Sequence, residues 1–347
     1  ATLSSQICGT KVSANDDVNY GQSSNDIIPS TIHISAALEL HNKLLPALKY
    51  LKEHIDQKAD AVSAYTKTGR THLMDAIPVK MSQSLYGWAD QLEFNIQKLQ
   101  QVQPQVQSLA QGGTAVGTGI NAHPLFAQKF SETLSKKTGV AFSSADNFFT
   151  HISSQDIAVS LSGQLKTTAV TIMKIANDLR WMNSGPLAGL GEIELEALQP
   201  GSSIMPGKVN PTQCEAMTMV AVQVMGYDTA ISMAGSQGHF ELNVFKPMMI
   251  FNLLQSVNIL ADSCNNFTDF LLVGLQVNHR KINSYLEQSL MLVTALSPKI
   301  GYDRAAEVAH LALEKDATLK QICVELGYIS AEEFDQVVVP SKMAHPH

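Results

Sequence analysis

Residues 201–211 read GSSIMPGKVNP and combine groups that can bind and activate a small anion. The polar side chains are two hydroxyls, an ammonium group and an amide, those of Ser202, Ser203, Lys208 and Asn210. Together with backbone N–H groups freed by glycine, such donors suit a carboxylate or an oxyanionic intermediate. A connector built from turn residues is the simpler interpretation, and for this loop alone it is the better one.

The segment YGQSSNDIIPS places Ser23, Ser24 and Asn25 just before a long predicted helix. Hydroxyl, amide and free N–H groups at a helix N-terminus can hold a carboxylate, helped by the positive end of the helix dipole. Serine and asparagine are also preferred N-cap residues, and capping is the better interpretation of this segment alone.

The segment TGRTHLMDAIP supplies Thr71 and His72 between two predicted helices. Histidine is well suited to proton transfer near neutrality, and a carboxylate partner would orient it and stabilise its charged form. Glu215 could be that partner, but TQCE, residues 212–215, also fits a helix capping box. The sequence leaves both roles of Glu215 open, and a single histidine among 11 is more often structural.

The segment SANDDVN adds Asn15 and Asp16 near the start of the chain. Its spacing is not that of a calcium loop, and no histidine or cysteine set accompanies it. We therefore expect a solvated or capping acidic turn here, and no metal site.

Long helices must position these motifs. Apolar residues recur at steps of three and four, which is the signature of a helix. The predicted helices cover residues 31–62, 80–106, 124–138, 153–183, 216–240 and 246–272, followed by shorter amphipathic segments beyond Asn278. Alternation typical of strands is scarce, so we predict an all-α protein with its polar motifs at helix ends.

Composition narrows the possible functions. A formal charge of -7 and the absence of a basic run argue against nucleic-acid binding. No apolar run reaches membrane-spanning length, and four scattered cysteines predict neither a zinc site nor a disulfide framework. The GTGINA segment matches a loose dinucleotide pattern, but no predicted strand precedes it. A charged fraction of only 16% suggests surface that is buried between subunits.

Taken together, the motifs resemble those of the fumarase/aspartase superfamily. NDDVNYGQSSND, GRTHLMDA, GGTAVGTGIN, GSSIMPGKVNP, GHFELNVFKP and SLMLVTALSPKIGYD occur in that family's order and approximate spacing. Two of these motifs resemble class II fumarases in particular. Those enzymes have Ser-Ser-Asn and Thr-His, as this chain does, whereas aspartate ammonia-lyases usually have Ser-Thr-Asn and Thr-Gln at the same places. The resemblance covers essentially the whole chain, apart from a family N-terminal segment that precedes residue 1.

The resemblance implies reversible anti elimination of water from (S)-malate to fumarate through an aci-carboxylate, without metal or organic cofactor. Ser202 would be the catalytic base, and His72, paired with Glu215, would assist the leaving hydroxyl, although an older view of the family makes His72 the base. Lys208 and Asn210 would stabilise the aci-carboxylate. The residues expected to bind substrate carboxylates are Ser23, Ser24, Asn25, Thr71 and Ser203.

A secondary carboxylate site would include Asn15 and Asp16, but Ser13 stands where the family has histidine, and His239 replaces a usual asparagine. The implied assembly is a homotetramer with a core of twenty helices, in which three subunits form each active site. The implied domains are an N-terminal remnant at 1–22, a long-helix bundle at 23–279 and a small helical domain at 280–347. We expect a cytoplasmic enzyme, with a mitochondrial location left open.

Two alternatives stay open from the sequence. One is an aspartate ammonia-lyase or another lyase of the superfamily, and the other is a non-catalytic helical assembly protein.

Overall fold

The computed structural model describes residues 1–345, and long α-helices dominate it, which confirms the predicted all-α class. The first eight helices are α1 (Thr2–Cys8), α2 (Ser24–Glu39), α3 (Leu45–Ala61), α4 (Met81–Val106), α5 (Phe126–Thr138), α6 (Phe148–Ser153), α7 (Asp156–Met182) and α8 (Thr212–Gly235). The remaining helices are α9 (Lys246–Phe267), α10 (His279–Gln288), α11 (Ser297–Ile300), α12 (Tyr302–Glu314), α13 (Leu319–Glu325) and α14 (Ala331–Val337). Three π-helical turns, Ala14–Val18, Leu40–Leu44 and Thr268–Leu272, and one 3-10 helix, Leu290–Leu296, accompany them.

The strands are few and short. They are β1 (Thr66–Thr71), β2 (Met74–Lys80), β3 (Ser108–Leu109), β4 (Ser143–Ser144), β5 (Ile193–Glu194) and β6 (Gln276–Val277). The pairs β1–β2 and β5–β6 are antiparallel, and β3–β4 is parallel. The β1–β2 hairpin corrects the expectation that its segment merely connects two helices.

The long helix predicted for residues 31–62 begins earlier and has an irregular centre. Ser23 caps α2 by accepting from the backbone N–H of Asn25, and the Asp26 side chain accepts from the backbone N–H of Ser23, which completes a capping box. Such reciprocal bonds satisfy the free N–H groups of a first turn. The π-helical turn at Leu40–Leu44 then separates α2 from α3.

The described chain comprises two compact units, each formed by separated segments. Unit 1 contains residues 1–51, 91–176 and 213–267. Within it α9 packs against α2, and its apolar residues Met249, Leu253, Leu260 and Phe267 are buried at helical spacing. Part of α8 also lies in this unit, and it buries a single stripe while Met219 and Val222 stay exposed.

Unit 2 contains residues 52–90, 177–212 and the described residues from 268 onward. It includes the β1–β2 hairpin, the GSSIMPGKVNP loop and helices α10 to α14. A hydrophobic cluster joins the 3-10 helix to α11, α12, α13 and α14, and its most buried members are Leu296, Val308, Ala312, Ile322 and Cys323. The boundaries of the three predicted domains stay predictions.

None of the helices within residues 1–345 combines the length and apolar character needed to cross a membrane. None of the four cysteines forms a disulfide: Cys8 is exposed, and Cys214, Cys264 and Cys323 are buried.

Candidate functional site

Thr71 and His72 lie at the tip of the hairpin, in a tight turn that we call the His72 turn (residues 71–74). Thr71 pairs with Met74, so His72 and Leu73 are the two central residues. Both have positive φ angles, 54° and 62°, as a type I′ turn requires. Glycine or asparagine normally fills such positions, and a branched or bulky residue there is strained. Strained residues of this kind cluster at functional sites.

The segment that the sequence singled out first, which we call the Ser202 loop (residues 201–211), is closed by bonds between its two ends. Gly201 donates its N–H to the carbonyl oxygen of Lys208 at 2.9 Å, and the Asn210 amide donates to the carbonyl oxygen of Gly201 at 2.9 Å. A Cβ atom on Gly201 would collide with that Lys208 oxygen. The sequence therefore needs glycine at this position for the loop to close.

The hydroxyl of Ser202 faces backbone donors of its own loop. Its Oγ accepts from the N–H groups of Ile204 at 3.3 Å and Met205 at 3.1 Å. Ser202 and Lys208 also line a cavity of about 350 Å³ together with residues 197–201. A serine oxygen supported by two N–H donors, in a cavity that a cation also lines, can bind or generate negative charge.

At the start of α2, two of the predicted substrate-binding residues, Ser23 and Asn25, make structural hydrogen bonds. Ser23 is the N-cap, and the Asn25 amide donates to the carbonyl oxygen of Ala115 at 2.8 Å. The buried Asp26 carboxylate accepts from the N–H groups of Gly112 and Thr114. The glycine-rich GGTAVGTG segment therefore packs on this helix end, as a structural turn rather than a dinucleotide loop.

Asn15 and Asp16 lie in an exposed π-helical turn that Ser13 caps. Ser13 Oγ donates to Asp16 Oδ2 at 2.9 Å and accepts from the Asp16 N–H, so Asp16 stabilises its own turn. Glu215 lies in the first turn of α8, and its carbonyl oxygen accepts from the Thr218 hydroxyl at 2.8 Å. Its predicted pairing with His72 stays a prediction.

A buried histidine illustrates the structural role that most histidines have. The Nδ1 atom of His33, on α2, lies 2.6 Å from the carbonyl oxygen of Ser108. Burial lowers the pKa of His33 to about 4. His33 is therefore neutral near pH 7. His72 is exposed at a turn and can reach a ligand.

The two units contain different predicted site residues. Unit 2 holds Thr71, His72, Ser202, Ser203, Lys208 and Asn210, and unit 1 holds Asn15, Asp16, Ser23, Ser24, Asn25 and Glu215. Sequence reasoning missed Glu192, which is fully buried and pairs with Arg70 beside the His72 turn. Nothing in GLGEIEL distinguishes this glutamate from its neighbours, because burial and pairing are tertiary properties.

Two family models match the chain. A model described as lyase matches residues 2–226, and a model described as the fumarase C C-terminus matches residues 292–345. The chain is 57% identical over 343 residues to fumarate hydratase class II 2 of Pseudomonas aeruginosa, covering 99% of this chain and 75% of that protein. It is 49% identical over 352 residues to fumarate hydratase class II of Neisseria meningitidis, covering 100% of this chain and 76% of that protein.

A solved structure has the same fold. Class II fumarase from Schistosoma mansoni superposes with a TM-score of 0.95 at 41% identity, over 99% of this chain and 76% of that one. The chain therefore belongs to the class II fumarase family of lyases. It spans about three quarters of the length of these relatives.

Proposed function

We propose that this chain catalyses the reversible anti elimination of water from (S)-malate to give fumarate. Family membership makes it a fumarate hydratase, which is a hydro-lyase, and its substrate is a small dicarboxylate. The hard step is removal of an unactivated proton from the carbon next to a carboxylate. That step yields an aci-carboxylate with additional negative charge, which donors must stabilise before the hydroxyl group leaves as water.

Ser202 takes the C3 proton of malate in this proposal. The observation that carries the proposal is that Ser202 Oγ accepts two backbone N–H bonds and lines the same cavity as Lys208. Hydrogen bonds and a nearby cation favour the charged form of an acid, so both support an alkoxide base. Lys208 and the amide of Asn210 then stabilise the aci-carboxylate.

His72 assists the departure of the hydroxyl group at C2, directly or through a water molecule. Its imidazole donates the proton as a general acid, and Glu215 stabilises the charged ring. The remaining polar groups bind the two substrate carboxylates, and they are Ser23, Ser24, Asn25, Thr71 and Ser203. Asn15 and Asp16 contribute to a secondary carboxylate site. The residues that act here need no metal ion or organic cofactor.

The site is completed by assembly into a homotetramer, with three subunits contributing to each active site. Apolar side chains that are exposed in one chain support this assembly. Met219, Val222 and Met233 on α8 are each more than half exposed, as is Phe251 on α9. Large apolar patches of this kind mark protein interfaces. A tetramer in sedimentation analysis is expected, and a monomer would contradict this part of the proposal.

We further propose a reducing, cytoplasmic compartment, since none of the four cysteines is in a disulfide. Cell fractionation tests this, and recovery of the protein in an organelle would contradict it.

The experiment that tests the activity follows the ultraviolet absorbance of fumarate while the full-length protein is incubated with (S)-malate, with and without a chelator. Growth of absorbance that the chelator leaves unchanged is expected. Growth with aspartate only, accompanied by ammonia release, would instead establish an ammonia-lyase. A stable oligomer that neither turns over nor binds a dicarboxylate would establish an assembly protein.

A further inference from the structure

Glu192 lies fully buried between two cations of the β1–β2 hairpin. Arg70 donates from Nη1 to Oε1 at 2.6 Å, and Lys67 Nζ lies 3.2 Å from Oε2, an ion-pair contact without hydrogen-bond alignment. The guanidinium carbon of Arg70 lies 5.6 Å from the ring centroid of Tyr285. We call Lys67, Arg70, Glu192 and Tyr285 the Glu192 cluster.

The backbone of Glu192 is fixed on both sides. Its N–H donates to the carbonyl oxygen of Met182 at 2.8 Å, at the end of α7. Its carbonyl oxygen accepts from the N–H of Asn278 at 2.9 Å, at the N-cap of α10. The carboxylate therefore extends from a backbone that is hydrogen-bonded to α7 and α10 and not to the hairpin.

The hairpin is shaped to bring both cations to this carboxylate. Lys67 and Arg70 are three residues apart, so a regular strand would direct them to opposite faces. A bulge interrupts the β1–β2 register between Thr68 and Arg70, and bulges increase the local twist. A Cβ atom on Gly69 would lie 2.5 Å from the carbonyl oxygen of Ile77, so only glycine allows this close approach.

The cluster depends on both of its charge partners. Removing a cation would leave the Glu192 carboxylate buried without compensation for its lost hydration, which strongly destabilises the folded protein. Burial lowers the pKa of Lys67, and the Glu192 charge opposes that change. Tyr285 donates its hydroxyl to the carbonyl oxygen of Leu190 at 2.9 Å, which ties the aromatic ring to the Glu192 segment.

We propose that Glu192 is a positioning residue for the reaction, which holds the His72 turn against the ends of α7 and α10. Arg70 is the residue immediately before Thr71, so the Arg70–Glu192 contact fixes the base of the turn. The inference rests on the proposed function, because that function gives His72 a catalytic role.

The test compares E192Q with D228N in the otherwise intact full-length protein. Asp228 is a matched control: it is a buried carboxylate in unit 1 that accepts from Lys166 Nζ at 2.6 Å and from Ser162 Oγ at 2.8 Å. Misplacing a catalytic group by about 1 Å costs roughly 100-fold, so E192Q should lower kcat by about 10- to 100-fold. KM should rise as well, because Thr71 belongs to the same turn and binds a substrate carboxylate in the proposed function. D228N should lower the thermal midpoint but leave kcat unchanged.

A second readout does not depend on turnover. Amide hydrogen exchange at residues 70–74 should accelerate in E192Q and not in D228N. If E192Q does not fold, R70K replaces it, because it keeps the cation but loses the geometry of the guanidinium group. Wild-type kcat together with wild-type exchange at the turn, in a folded E192Q or R70K protein, would overturn the inference.

Failure of the inference is distinguishable from failure of the proposed function. If the wild type releases ammonia from aspartate and does not hydrate fumarate, the proposed function fails. The kcat values of E192Q and D228N are then measured with aspartate as the substrate and compared with that of the wild type. If the wild type turns over neither substrate, the exchange readout alone decides whether Glu192 positions the turn.

Discussion

The His72 turn and the Ser202 loop carry the two proposed proton-transfer groups on very different structures. The turn closes a paired hairpin and has two strained residues. The Arg70–Glu192 ion pair holds the strand residue that immediately precedes the turn. The loop lies in a stretch, residues 194–213, in which no residue is buried. Its order comes from a few hydrogen bonds between its own ends. One group is thus presented rigidly, and the other belongs to a segment that can adjust to a ligand.

The largest expected effect is at the loop. S202A removes the proposed base, so kcat should fall by about 1,000-fold or more, within the range for general-base groups. Steady-state kinetics with (S)-malate measures this, with S63A as a control at an exposed turn of the same unit. Wild-type turnover by S202A would remove the loop hydroxyl from the mechanism.

A smaller effect is expected at the turn. H72N keeps a residue that tolerates positive φ and removes the imidazole, so kcat should fall by about 100-fold with the hairpin intact. H310N, on the exposed face of α12, serves as the control. If H72N and H310N have equal kcat values, His72 has no catalytic role.

Hydrogen exchange tests the difference in rigidity itself. The paired amides of β1 and β2 should exchange at least about tenfold more slowly than those of residues 201–211, because the hydrogen bonds of a paired strand ladder open less often than those of an exposed loop. A saturating dicarboxylate should slow exchange in the loop more than in the hairpin. Equal exchange rates in the two regions of the free protein would contradict this account of the loop.

The smallest predicted effect concerns strain in the turn. L73G places glycine at a positive φ position, and Leu73 is 62% exposed, so little packing is lost. Stability should therefore rise by about 1 kcal/mol, the order of strain stored by such a residue. Thermal unfolding measures this, with L313G as a control, since Leu313 is exposed within α12 and glycine there should destabilise. A lower midpoint for L73G would show that the leucine side chain stabilises the turn.

The all-α class could be predicted from the sequence because helical periodicity is a local property. One example is α9, which begins at Lys246 as the pattern indicates. The candidate site residues were predicted from the order and spacing of the polar motifs. The hairpin was missed because its strands, TKTGRT and MDAIPVK, lack a clean alternation and are interrupted by a bulge. The roles of Glu192 and Asp26 were equally out of reach, since each depends on partners that are distant along the chain.

The most direct test of the division of roles is deuterium incorporation at C3 of (S)-malate in deuterated water. If Ser202 removes the proton and His72 assists the leaving hydroxyl, H72N should still exchange the C3 proton while forming little fumarate, and S202A should lose both. Retained C3 exchange in S202A, with exchange lost in H72N, would contradict the account and make His72 the base.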